Sequence, residues 1–121
     1  MEHETSGEKF HDKLRHKMDE YAHLSYRITK SFPKSEIFGI VSQLRRSSLS
    51  VILNYIEGYA RVRGKVYKNF LEISYGSLKE SRYLFNFSFQ ENYIKEQDYN
   101  RAMILTDEIG AMLWTTISKI S

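Results

Sequence analysis

An all-α fold, four long helices packed antiparallel in up-down-up-down order, is what this sequence predicts. Three observations carry the expectation. Apolar residues recur at three- and four-residue steps over four long stretches, which places each set on one helical face. The only proline in 121 residues is Pro33, so no second proline interrupts a helix. The links between the periodic stretches are short, and short links between long helices make sequential neighbours antiparallel.

The first helix is predicted from Glu8 to Ser31, with Leu14, Met18, Tyr21, Leu24, Ser25 and Ile28 along its buried face. Pro33 ends it, because proline disfavours helix at the residue before it. Ser35 is the expected N-cap of the second helix, whose stripe is Ile37, Ile40, Val41, Leu44, Ser48, Val51, Tyr55 and Tyr59. Gly58 and Gly64 flank the end of that helix. A third helix follows over Lys65 to Gln90, with Phe70, Ile73, Ser77 and Leu84 as its helical pattern, then a link containing Asn92 and Tyr93. The fourth, Glu96 to Ile120, has a heptad-like stripe of Tyr99, Ala102, Thr106, Ile109, Leu113, Thr116 and Ile120. All of 1–121 reads as one domain, with 1–7 a flexible lead-in.

Composition narrows the class. Hydrophobic residues make up 41% of the chain, enough for one core, and no repeat or low-complexity tract is visible. There is no cysteine, which excludes disulfides and thiolate metal sites. The opening MEHETSGEKFHDKLRH is polar and mixed in charge, unlike a secretory signal. No apolar run approaches the ~20 residues that span a bilayer. A soluble, cytoplasmic protein with no membrane partner is the expectation.

Charge and aromatic content are both unevenly placed. Net charge is only +3, yet Arg45, Arg46, Arg61, Arg63, Lys65 and Lys68 fall in one stretch with a single acid, Glu57. Such a cluster suits a polyanion, or is simply a solvated face. Half of the sixteen Phe and Tyr residues lie between Tyr67 and Tyr93. Phe85, Phe87 and Phe89 alternate there, and on a helix residues two apart point to opposite sides. Some of these rings are therefore exposed or covered by another subunit, which predicts a homo-oligomer.

In this order, FPKSEIFGIVSQLRRSSLSVILNYIEGYAR, YKNFLEISYGSLKES and NYI, followed by an amphipathic helix, resemble a known family over about Tyr21 to Ile120. It is the bacterial four-helix-bundle family named after proteins encoded in intervening sequences of 23S ribosomal RNA genes. The most telling pieces are Phe32-Pro33, Phe38-Gly39, Gln43 to Arg46, Asn54, Glu57-Gly58-Tyr59, Phe70-Leu71 and Gly76-Ser77-Leu78. The resemblance implies a left-handed antiparallel bundle assembled as a homopentamer around a channel, with no known enzymatic activity for most members. A more distant similarity is to the accessory protein of diversity-generating retroelements, which works with a reverse transcriptase and nucleic acid. This chain departs from the family pattern at Ile52, where a helix-kinking proline is usual, and at Arg63-Gly64 and Lys95, where capping serines are usual.

Among candidate sites, Asn54 and Glu57 share a helix face and are either a partner-gripping polar site or, as favoured here, a buried network that sets helix register. That network pairs Glu57 with an arginine or tyrosine of another helix, and Gly58 permits close helix approach. Arg45 and Arg46 point about 100° apart, so they are not buried together. Arg61, Arg63, Lys65 and Lys68 lie around one bundle end, where Tyr59 and Tyr67 offer stacking surfaces for bases. Asp12, His16 and Glu20 recur at four-residue spacing, but a solvated face is preferred to a metal site because no paired-ligand motif accompanies them. No GxSxG elbow, P-loop or dinucleotide fingerprint occurs. Trp114, the only tryptophan, reads as packing.

The sequence thus predicts a non-enzymatic homo-oligomer, a pentamer by resemblance, that takes no cofactor or metal and binds nucleic acid, RNA first, through a basic bundle end. The alternative is a scaffold or adaptor for a protein partner such as a reverse transcriptase.

Overall fold

The computed structural model describes residues 5–61 and 64–120. They form α1 (Ser6–Thr29), α2 (Ile40–Arg61), α3 (Gly64–Gln90) and α4 (Glu96–Ser118), with a 3-10 turn at Lys34–Glu36 and no strand among the described residues. The helices pack in a ring, α1 on α2, α2 on α3, α3 on α4 and α4 on α1. Partners run in opposite order along each adjacent pair. Thr29, Ser25 and His11 of α1 bond Arg45, Ser48 and Tyr55 of α2. Arg46 and Ser50 of α2 bond Glu80 and Ser77 of α3. Asn86, Arg82 and Tyr75 of α3 meet Tyr99, Asp107 and Trp114 of α4, while Lys17 and Glu20 of α1 meet Glu108 and Arg101.

Local chemistry sets the helix ends. α1 starts at Ser6, ahead of the expected Glu8, because the Thr5 hydroxyl accepts the Glu8 N–H at 3.0 Å. After Pro33 the backbone makes i→i+3 bonds, Glu36 to Pro33 at 3.0 Å and Ile37 to Lys34 at 3.2 Å. Ser35 is therefore inside a 3-10 turn and does not cap α2. That tighter winding rotates Ile37 off the core stripe in which it was expected and leaves it exposed beside Phe38. α2 then runs unbroken through Ile52, where the family proline would stand. Asn92, at φ 65°, closes α3 with paired bonds, its own N–H to Phe89 O at 3.0 Å and that of Tyr93 to Ser88 O at 2.9 Å. Lys95 makes no side-chain cap for α4, but Glu96 and Asp98 in the first turn oppose the helix dipole.

The core is a column of fully buried side chains from all four helices: Leu14, Met18 and Tyr21, then Leu44, Val51 and Tyr55, then Leu71, Leu78 and Phe85, then Leu105, Ile109 and Leu113. Burying each large apolar side chain contributes about 1.5–3 kcal/mol. The alternating phenylalanines divide as their spacing requires: Phe85 is buried, Phe87 exposed, and Phe89 stacks on Tyr99 with centroids 4.1 Å apart.

α2 and α3 approach through small residues. Ser74 Oγ donates to the Val51 carbonyl at 2.6 Å, and the Ser50 and Ser77 hydroxyls bond at 2.8 Å. A Cβ on Gly58 would lie 2.8 Å from Phe70 Cβ, so α2 passes α3 only because residue 58 has no side chain. Tyr21 spans the core to Ser81 of α3 at 2.6 Å. Among the described residues no buried side-chain polar atom lacks a hydrogen-bond partner.

Two glycines in helix interiors make a contrasting pair. Gly76 faces open space, so Gly76→Ala should stabilise the fold by about 0.4–1 kcal/mol. Gly58→Ala should instead lose about 1–3 kcal/mol by overpacking, less the ~1 kcal/mol gain in helix propensity. Urea midpoints of the two variants should move in opposite directions from the wild type.

Candidate nucleic-acid interface

The six predicted basic residues do not converge. Arg45 and Arg46 lie near the start of α2 and Arg61 at its end, 15 residues or about 22 Å along the axis. The reason is that one continuous helix carries both groups. Arg45 is half-buried, its Nε donating to Thr29 Oγ1 at 2.8 Å and its guanidinium 4.8 Å from the Tyr26 ring centroid. It holds α1 to α2. Arg46 is exposed and bridges to Glu80 of α3 and to Gln43 Oε1 at 3.3 Å. The two are not buried together, and neither is fully buried.

The second group gathers at the α2–α3 corner. Arg61 pairs with Glu57 one turn back and lies 5.6 Å over the Phe70 ring. Gly64, at φ +50°, takes a conformation that favours glycine where the chain enters α3. Lys65 and Lys68 line a shallow hollow with Val66, Asn69 and Glu72. Arg63 lies outside the described residues. The opening turns of α1 and the last turn of α4 bring Lys9, Lys13 and Lys119 to this same end, against Glu8, Asp12, Glu57 and Glu72. Among the described residues no carboxylate pairs with Lys9, Lys13, Lys65, Lys68 or Lys119.

The predicted polar network is only half formed. Asn54 donates to the Ser50 carbonyl at 2.9 Å and to Ser50 Oγ at 2.8 Å, and so reaches Ser77 of α3 through that hydroxyl. Glu57 does not join it: three residues on, it is turned ~60° further from the core, is exposed, and pairs within its own helix. Asp12, His16 and Glu20 do not form a ligand set either, since Glu20 is held by Arg101 at 2.8 Å, and no group of three metal-ligating side chains occurs among the described residues.

Residues 12–115 match the family model of the 23S rRNA-intervening sequence protein. The chain belongs to that family. Its fold is similar to the crystal structure of a protein of unknown function from the S23 ribosomal protein family of Bacteroides thetaiotaomicron VPI-5482, with a TM-score of 0.78 at 21% identity, over 88% of this chain and 99% of that one. Comparison with curated proteins gives no match. No helix among the described residues of this intervening-sequence family member is long and apolar enough to cross a membrane.

Two features of the family member were missed by sequence reasoning. Trp114 is 58% exposed and not packed in the core, with its ring 5.8 Å from that of Tyr75. A helical wheel had the signal, because 114 falls one step past the buried stripe of Ile109 and Leu113. The other is a histidine–tyrosine cluster at the basic end. His11 Nδ1 bonds the Tyr55 hydroxyl, and its ring lies 4.4 Å from that of Tyr59. Burial pushes the Tyr55 hydroxyl well above the usual tyrosine range, and the direction of its hydrogen bond with His11 Nδ1 follows the imidazole tautomer. Only the tertiary pairing of α1 with α2 creates this contact.

Burial also lowers the His11 pKa below its ordinary 6.5, outweighing the opposing pull of Asp12. The unfolded chain then binds a proton at His11 before the folded chain does. Its contribution to stability is full above pH 6.5 and declines as pH falls below that value. Between about pH 7.5 and about pH 5.5, denaturation midpoints should fall more for wild type than for His11→Gln, which removes the titrating ring.

Proposed function

We propose that this protein is a non-enzymatic oligomer of antiparallel up-down-up-down bundles, a pentamer, that binds nucleic acid, RNA first, through the basic bundle end. The observation that carries the reading is the set of lysines without carboxylate partners among the described residues, Lys65 and Lys68 beside Arg61, joined by Lys9, Lys13 and Lys119. Cations without a local counter-charge are the ones that displace counterions from a phosphate backbone. Arg45 and Arg46 remain secondary contacts, since each is already engaged. The family's name, which ties it to 23S ribosomal RNA genes, favours RNA over DNA.

Oligomerisation is supported by an apolar ridge. Leu49, Leu53, Ile56 and Ala60 recur at steps of four and three on the outward side of α2, and Leu53 is 54% exposed. Val66 and Ile73 of α3 are exposed on the other flank of the same corner. In a cyclic oligomer the basic end repeats once per subunit, so weak contacts sum through avidity. The scaffold reading rests on a different observation, Phe38 at 95% exposure on the α1–α2 connection. A phosphate backbone has no use for an apolar knob, whereas a protein partner does.

Light-scattering mass and RNA affinity across a salt series test both parts. The expected results are a mass near five chains and a steep linear fall of log K with log salt. Replacing Arg61, Arg63 and Lys65 by alanine should leave the mass unchanged and reduce the salt slope by roughly one per lost phosphate contact. Glu57→Gln, which frees Arg61, should strengthen binding modestly. No retention of RNA or DNA at low salt by a clean oligomer would overturn the nucleic-acid reading and favour the scaffold.

A further inference from the structure

We propose that the α3–α4 face carries a stacking track for single-stranded nucleic acid, with Trp114 and Tyr75 as the base platform and Lys68 and Lys79 as the phosphate contacts. This rests on the nucleic-acid reading above and gives the bound strand a path away from the basic end.

The geometry begins with Trp114, the largest side chain in the protein and one that a bundle core would bury. It is 58% exposed instead. Long side chains on a helix lean over the preceding turn, which here carries Gly110 and Ala111. A hydrogen and a methyl leave the shelf around the indole low. Tyr75 stands beside it across the helix boundary, at 5.8 Å between centroids and 46° between planes. That tilt means the two rings do not cover each other, so an indole face stays available to a third ring.

Charge follows the same line. Lys79 Nζ lies 5.2 Å from the Tyr75 centroid, which fixes a cation beside the platform. On α3, Lys68, Tyr75, Lys79 and Tyr83 recur at steps of seven, four and four, so they fall within about 80° of one another around the helix, and Tyr75 among them meets Trp114 of α4. Tyr83 is 65% exposed. Lys68 is at once the first cation of this line and a member of the basic corner, so the two surfaces are continuous. Two acids lie along the track. Asp107 is occupied by Arg82 at 3.2 Å, and Glu72 stands between Lys68 and Tyr75, where it disfavours a phosphate and leaves the position to a base. Alternating cations and aromatic faces are the arrangement that holds single strands without reading sequence. A duplex, whose bases are already stacked on each other, gains nothing from the rings.

Trp114 is the only tryptophan, so its emission reports on the platform alone. The test titrates full-length protein with a short fluorescein-labelled oligouridylate at low salt, following probe anisotropy and Trp114 emission together. The expected result is saturable quenching with the same midpoint as the anisotropy rise, and weaker binding of the matching duplex. Trp114→Ala, checked for native helicity and unchanged mass, should weaken single-strand binding about 5- to 100-fold, and Lys79→Ala should lower the salt slope by about one. Binding by anisotropy with unquenched emission, and with the affinity of Trp114→Ala unchanged, would overturn the track while leaving the basic-end reading standing. Absence of any anisotropy change would remove both. A loss of oligomer mass in Trp114→Ala would overturn the track by making this face a contact between copies of the chain.

Discussion

The close passage of α2 against α3 is the constraint from which the remaining geometry follows. It exists because Gly58 offers no Cβ toward Phe70 and because Ser50, Ser74 and Ser77 are small enough to let the backbones near. Each serine also answers its own desolvation. A buried hydroxyl left unpaired costs about 1–3 kcal/mol, whereas a made hydrogen bond contributes about 0.5–1.5 kcal/mol. Small size and polarity therefore act together: the seam is tight because the hydroxyls are short, and tolerable because they find partners. Widening it would separate Arg61 from the Phe70 ring over which it lies. It would also displace Lys65 and Lys68, which leave the corner in the first turns of α3.

That seam explains why like charges close in sequence differ in what they are free to do. Arg45 is tied into the α1–α2 contact by a charged hydrogen bond, a type that contributes about 1.5–3 kcal/mol. Arg46 and Arg61 form exposed ion pairs, typically worth about 0–1 kcal/mol and screened by salt, so a phosphate competes with them readily. The corner lysines have no such competitor among the described residues. The proposed polyanion site is thus graded, with the lysines open, two arginines available by exchange and one arginine committed to the fold.

Aromatic residues show the same division between structure and surface. Tyr21, Tyr55 and Phe85 are fully buried, and Tyr21 meets Phe85 edge-on with centroids 5.5 Å apart. Trp114, Tyr83, Phe87 and Phe38 are left outside. The core of the bundle fully buries only Tyr21, Tyr55 and Phe85 among its rings, and most of the other large aromatics lie partly or wholly on the outer faces. Those outer rings and the Leu53–Ile56 ridge provide surface for the proposed partners, whether a further copy of the chain or a nucleic-acid strand.

Periodicity in the sequence determined the four helices, their order and the core faces of α1, α2 and α4 apart from the exposed Tyr59. On α3 the expected Phe70, Ile73, Ser77 and Leu84 each lie one residue before the buried Leu71, Ser74, Leu78 and Phe85. Leu14, Met18, Leu44, Val51, Ile109 and Leu113 are buried where three- and four-residue steps place them, since a helical repeat depends only on local geometry. The motifs from Phe32 to Leu78 likewise sufficed for the family. Gly58 was legible as a close approach because glycine inside a helix is costly without one. What the sequence did not contain was the relation between helices. The His11–Tyr55 bond and the meeting of Trp114 with Tyr75 each depend on which turn of one helix meets which turn of another. That register is decided by the packed volume of the whole core and by the pairing of its hydroxyls, quantities that no single stretch of the chain carries.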